Sequence, residues 1–159
     1  MTKPYTVTKQ LVVKSPLPGM DEWIRQAVKF SEGCLWNNGS WVVRDVRGKP
    51  GIISNHARGL AVDLSYRFMA QKNVGKVRGE KLALTFLNKL LQNADTLGIQ
   101  LVIDYNRNRS YKNDRGTWQP GNFEPGDWLH VECDIDLIKD PVAVKSAWFK
   151  VFGGIPQTV

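Results

Sequence analysis

Ser54-Asn55-His56-Ala57-Arg58-Gly59-Leu60-Ala61-Val62-Asp63-Leu64-Ser65-Tyr66 is the stretch that decides the fold. From Leu60 onward it alternates. Val62, Leu64 and Tyr66 fall on one side, and Ala61, Asp63 and Ser65 on the other. A period of two over this length predicts a half-buried β-strand with Asp63 facing away from the apolar core. Gly59 allows the chain to turn between the His56 loop and the strand. Ala61 is small and leaves room beside Asp63.

A second stretch reads the same way. Val131, Cys133, Ile135 and Leu137 alternate with His130, Glu132, Asp134 and Asp136, which predicts a strand from His130 to Asp136 that begins on its polar side. Asp127 stands three residues before His130, after a turn opened by Pro125-Gly126. The chain has 2 histidines, and each lies in one of these two stretches. Neighbouring strands would bring Asp63 and His130 together, with His56 closing the site from its loop.

The residue types suit a metal. A catalytic zinc takes three protein ligands and keeps a fourth position for water. His56, Asp63 and His130 supply such a set. Two imidazoles and one carboxylate neutralise the ion less than thiolates do, so it remains a strong Lewis acid. Zinc lowers the pKa of a bound water to about 7 and polarises a carbonyl. A nearby carboxylate can take that water's proton and hand it to a departing amine. Asp127 is the candidate for this base.

The two patterns, S-x-H-x-x-G-x-A-x-D over 54–63 and D-x-x-H over 127–130, resemble those of a zinc peptidase group. Its members are D-alanyl-D-alanine carboxypeptidases and L-alanyl-D-glutamate endopeptidases, relatives of lysostaphin and of the hedgehog signalling domain. The stretch Asp104-Tyr105-Asn106-Arg107 through Trp118, with the Asp-Trp-Leu-His turn, resembles a subgroup common in phage and actinobacterial proteins. The resemblance spans residues 40 to 137. It implies that His56, Asp63 and His130 bind zinc (Zn2+) and that Asp127 is the catalytic carboxylate. Many members of the group carry Glu where Asp127 stands. The resemblance further implies a small α+β fold and action on bacterial peptidoglycan peptides, as in a phage endolysin or a virion-associated lysin. An arginine upstream of the first motif steadies the substrate carbonyl in several relatives, and Arg44 and Arg47 compete for that role here.

Composition is consistent with one domain over residues 1–159. There are 22 Lys+Arg against 15 Asp+Glu, a net charge of +7, which favours anionic partners such as wall polymers, nucleic acid or a membrane surface. Cys34 and Cys133 are too few for a disulfide scaffold. The N-terminus lacks a secretory pattern and no apolar run is long enough for a membrane span. The expectation is a chain made in the cytoplasm that reaches the wall after release, or in a virion.

Outside the motifs, a helix is predicted from Asp21 to Glu32 and a strand from Trp41 to Val46. Arg78 to Leu97 carries Leu82, Phe86, Leu87, Leu90, Leu91 and Ala94 at helical spacing and is stopped by Gly98. A strand follows from Ile99 to Tyr105, then a long polar loop over 106–126. Asp140-Pro141 opens a last helix with Ala143, Val144, Ala147 and Trp148 on its apolar face. The architecture expected is α+β: a central antiparallel sheet of about four strands with helices on one side.

The loop supports a rival reading. Arg107, Arg109, Lys112 and Arg115 interleave with Tyr105, Tyr111 and Trp118, a mixture that can hold single-stranded nucleic acid or serve a metal-dependent nuclease. A third reading is a wall-binding member of the same fold without catalysis.

Overall fold

A computed structural model describes residues 1–5, 12–66 and 76–153. Helix α1 (Pro18–Phe30) is followed by strands β1 (Trp36–Gly39), β2 (Asp45–Val46), β3 (Lys49–Ile53) and β4 (Ala61–Ser65). Helices α2 (Lys76–Gln92) and α3 (Ala94–Leu97) lead into β5 (Ile99–Asp104), β6 (Arg109–Lys112), β7 (Thr117–Pro120) and β8 (Trp128–Cys133). Two helices, α4 (Ile135–Ile138) and α5 (Pro141–Phe152), follow.

The fold is α+β, as expected, but among the described residues the central sheet has six strands rather than four, in the order β1-β4-β8-β5-β6-β7. Every neighbouring pair is antiparallel. The additional strands come from the segment read as a polar loop. Arg109–Lys112 and Thr117–Pro120 form a hairpin in which Tyr111 stands opposite Trp118. Their rings lie 5.5 Å apart and Arg109 stacks over Trp118 at 4.1 Å. Cross-strand aromatic and cation–π contacts hold the pair despite its polar composition. The strand expected at Trp41–Val46 is also revised. The edge strand is Trp36–Gly39, and Asp45–Val46 pairs with Lys49–Ile53 around an Arg47-Gly48 turn, with Gly48 at φ 72°.

Parity along the two central strands sorts the sheet into two faces. Val62 and Leu64 of β4, Val102 of β5 and Leu129 and Val131 of β8 join one buried cluster with Trp23 and Ala27 of α1, Leu87 and Leu90 of α2, and Trp148 and Phe152 of α5. Trp23 packs edge-to-face on Trp148 at 5.2 Å, and its indole N–H donates to Leu97 O at 2.9 Å. The other face carries Asp63, His130 and Glu132.

Local chemistry sets the boundaries. α1 starts at Pro18, whose fixed φ suits a first helical position, so the helix begins before Asp21, which lies within its first turn. Asn93 interrupts the helix expected over 78–97: its side chain donates to Lys89 O at 2.9 Å and the chain re-enters as α3. Gly98 closes α3 at φ 68°, as anticipated. Leu82, the first residue of the stripe at helical spacing, lies 39% exposed while Ala83 is buried. The strand predicted to Asp136 ends at Cys133, because the Asp134 side chain accepts from Asp136 N and caps α4. Asp140 caps α5 in the same way, through Val142 N, with Pro141 at the first position.

Gly19 is a point of close approach between α1 and α4. A Cβ there would overlap the Ile138 carbonyl. Gly19→Ala gains about 1 kcal/mol of helix propensity, yet overpacking against backbone costs about 1–3 kcal/mol. The expected outcome is net destabilisation in a urea melt, with an unchanged slope.

Candidate metal centre

The two strands that carry the motifs are neighbours. In the β4–β8 register Asp63 stands directly opposite His130, and His130 is flanked on its other side by Ile103 of β5. A directly opposed pair on one face of an antiparallel sheet has its Cβ atoms about 4.5–5.5 Å apart. Two short polar side chains therefore meet without any loop to guide them.

His56 arrives from a tightly wound loop. The Ser54 hydroxyl accepts from His56 N at 3.3 Å, and the Ser54 carbonyl from Ala57 N at 3.0 Å. The His56 carbonyl accepts from Gly59 N and the Asn55 carbonyl from Leu60 N, both at 3.0 Å. Gly59 takes φ 72°, and a Cβ there would press on Leu17. Arg58 fastens the loop by donating to Ile53 O at 2.8 Å and Asn55 Oδ1 at 3.2 Å. The serine, glycine and histidine of the first motif are thus one folded unit.

Three ligand-type atoms converge. His56 Nε2 lies 3.2 Å from His130 Nδ1 and 3.4 Å from Asp63 Oδ1, and His130 Nδ1 lies 3.0 Å from Asp63 Oδ1. The far nitrogen of each ring is already engaged. His56 Nδ1 faces the carbonyl of Ser40, and His130 Nε2 faces Glu132 Oε1 at 3.0 Å. A carbonyl and a carboxylate only accept, so each far nitrogen carries the hydrogen. In the neutral tautomers both near nitrogens then present lone pairs, and Asp63 adds a third.

This geometry fits a small divalent cation. A tetrahedral zinc with bonds of about 2.0–2.1 Å sets its ligand atoms about 3.3 Å apart, and the three separations bracket that value. The donor set of two imidazoles and one carboxylate matches zinc chemistry. Both histidines are buried, and Asp63 is the most open of the three, its side chain 23% exposed. Solvent therefore reaches the centre from the Asp63 side.

The same crowding moves the titrations in the cation-free protein. Burial alone would lower the His130 pKa, but hydrogen bonds to Asp63 and Glu132 outweigh it and push it up to about 9. Burial would raise Asp63, yet its bonds to His130 and His56 hold it below the usual carboxylate range. Burial also opposes ionisation of Glu132, and His130 again prevails and lowers it. A proton and a cation are alternative occupants of one focus.

Asp127 lies outside this cluster of three. It sits half-buried in the bend before β8, where its carbonyl accepts from Tyr66 N and from the Ser65 hydroxyl, both at 3.3 Å. Arg44 is joined to the His56 loop through its carbonyl, which accepts from Ser54 N at 3.1 Å. Arg47, in the β2–β3 turn, is 3.7 Å from Glu124. Both cations act on the Tyr105 phenol. Burial first, and then the Asp63 charge, raise the pKa of that phenol and keep it protonated. Tyr105 packs at a tilt against Trp128 at 4.9 Å and Phe123 at 5.7 Å, an aromatic wall beside the centre.

Glu132 and Tyr5 complete the surroundings. Glu132 is 9% exposed, and its Oε2 accepts from the Tyr5 hydroxyl at 2.7 Å. The Asn55 side chain adjoins both groups and favours their charged forms. The alternation of β8 puts Glu132 on the His130 side, but no spacing rule reaches Tyr5. Cys34 and Cys133 are thiols rather than a disulfide, and neither belongs to the cluster. No described helix is long and apolar enough to cross a membrane. No family model, curated protein or solved structure matches the chain.

After incubation with zinc and dialysis, His56→Ala or His130→Ala should retain less metal than the unaltered chain, measured by elemental analysis. The pH dependence has a defined sign. His130 has a folded pKa raised above its unfolded value of 6.5, so its contribution to metal-free stability is full below pH 6.5 and is lost as pH rises through about 9. Melts in chelator should fall over that window, and melts with zinc should not. A metal-free melting temperature that rises from pH 6.5 to 9 would contradict this.

Proposed function

We propose that the chain is a zinc-dependent peptidase that cleaves a stem-peptide or cross-bridge amide of bacterial peptidoglycan, in the setting of a phage endolysin or virion-associated lysin. The observation that carries this reading is the convergence of His56, Asp63 and His130 on one point within 3.4 Å of each other. The peptidoglycan substrate and the phage setting rest on the resemblance of the two motifs. Zinc, when bound by the three residues, supplies a Lewis acid and an acidified water.

The chain's own groups do the rest. Asp127, three residues before His130, accepts the proton of the attacking water and returns it to the departing amine. Arg44 is the better of the two arginines for the developing negative charge. Its backbone is tied to the His56 loop, whereas the Arg47 guanidinium faces Glu124. Tyr105 offers a protonated phenol on the same side of the sheet. With Trp128 and Phe123 it makes a wall against which the apolar parts of a peptide can lie, and the arginines suit the carboxylates that stem peptides carry. The net charge of +7 favours approach to polyanionic wall polymers.

The nucleic-acid reading loses support from the hairpin's side chains. Arg107 pairs with Glu80 at 2.7 Å, and Arg109 pairs with Asp104 at 3.1 Å while covering Trp118. Arg115 donates to Thr117 O and Ser110 O, and Lys112 lies over the Tyr5 ring. Cations and aromatic faces spent on one another are poorly available to phosphates and bases.

Digestion of purified peptidoglycan with and without chelator, followed by mass analysis, tests the reading. The expected result is zinc-dependent release of new amino termini. Asp127→Ala should lower the rate by about 100-fold or more while retaining zinc. A normal rate in that variant removes Asp127 from the mechanism. Zinc retention with no hydrolysis by the wild type leaves a wall-binding module instead.

A further inference from the structure

Residues 1–5 lie across the end of β8 and are pinned at several points. Lys3 Nζ is 2.7 Å from Asp134 and 2.6 Å from Asp136, the cap and first turn of α4. Tyr5 N donates to Asp114 Oδ2 at 2.8 Å, in the β6–β7 turn, and Lys112 Nζ sits 4.6 Å over the Tyr5 ring. Thr2 donates to Asp95 at 3.0 Å. These anchors come from three separate elements, and they aim the Tyr5 hydroxyl at Glu132 Oε2, 2.7 Å away.

Glu132 has a second, distinct contact. Its other oxygen, Oε1, faces His130 Nε2 at 3.0 Å. The carboxylate therefore bridges the N-terminal segment and the ring whose opposite nitrogen points at Asp63 and His56. A carboxylate on the far nitrogen of a ligating imidazole fixes its tautomer and rotation and makes the near nitrogen a better donor. Glu132 is nine-tenths buried, and His130 and Tyr5 hold its two oxygens.

We propose that Tyr5 and Glu132 are positioning residues for the metal centre: the N-terminal segment, through the Tyr5 hydroxyl, holds the Glu132 carboxylate that orients His130 for ligation. The inference rests on the metal-binding reading above and adds to it a part of the chain far from both motifs. Neither residue touches the cation. Their effect is on how tightly and in what geometry it is held.

The test is zinc affinity by competition with a chromophoric chelator, with the visible spectrum of the cobalt-substituted protein as a second readout. Wild type, Tyr5→Phe and Glu132→Gln are compared, and metal-free melting temperature serves as the control for folding. Removal of a partner to a ligating histidine weakens metal binding by about 10–100-fold. Glu132→Gln should fall in that range, since an amide can still accept from His130 but carries no charge. Tyr5→Phe should lose about tenfold and shift the cobalt bands, with little change in metal-free melting. Should Tyr5→Phe fold poorly, Lys112→Gln takes its place. Loss of the cation over the ring then weakens zinc about twofold to fivefold.

Wild-type zinc affinity and an unaltered cobalt spectrum in Tyr5→Phe overturn the inference, even if Glu132→Gln is weak. Failure of the wild type itself to bind zinc overturns the metal reading, and this inference with it.

Discussion

Three acceptor atoms forced into one buried spot are the constraint on which the rest depends. His56 Nε2, His130 Nδ1 and Asp63 Oδ1 lie 3.0–3.4 Å apart, with both imidazoles turned so that their hydrogens point away. Lone pairs so arranged repel unless something positive lies between them. Water is a poor solution, since it brings only two hydrogens to three acceptors. A proton answers in part: against the effect of burial, bonds to Asp63 and Glu132 push His130 up to about 9 without a cation. A divalent ion answers for all three.

The scaffold serves that point by dividing the labour of its sheet. On one face Val62, Leu64, Leu129 and Val131 bury against α1, α2 and α5 and fix the register of β4 on β8. A slip of one residue would expose all four, so the register is held by the hydrophobic effect. That same register sets Asp63 opposite His130 on the other face. The chemistry is thus positioned by residues that never touch it. The loop bearing His56 is held independently, through Ser54, Gly59 and Arg58, so the placement of the third ligand-type group does not depend on strand pairing.

The parts legible in sequence were those governed by period or by local caps. Alternation at Val62 and Leu64 identified the strand and the face of Asp63. Gly59 and Gly98 marked turns that do take positive φ, and Asp140-Pro141 marked a helix start. What escaped depended on distant or competing contacts. The β6–β7 hairpin reads as loop because its strands are rich in Arg, Lys and Gln, and its stability comes from the Tyr111–Trp118 pair and Arg109. Asp134 lay in an alternating pattern that favoured a strand, but its capping bond turned the chain into α4. Asn93 broke a stripe that periodicity alone would have continued. Tyr5 contacts Glu132 across 127 residues of chain, and no local pattern encodes such a contact.

The most direct measurement is X-ray absorption at the zinc edge of the reconstituted protein. The proposed centre requires one ion per chain in a shell of nitrogen and oxygen at about 2.0–2.1 Å, with the outer-shell scattering of two imidazoles. A sulfur shell at about 2.3 Å, which would implicate Cys34 or Cys133, or a signal without imidazole scattering, would contradict it.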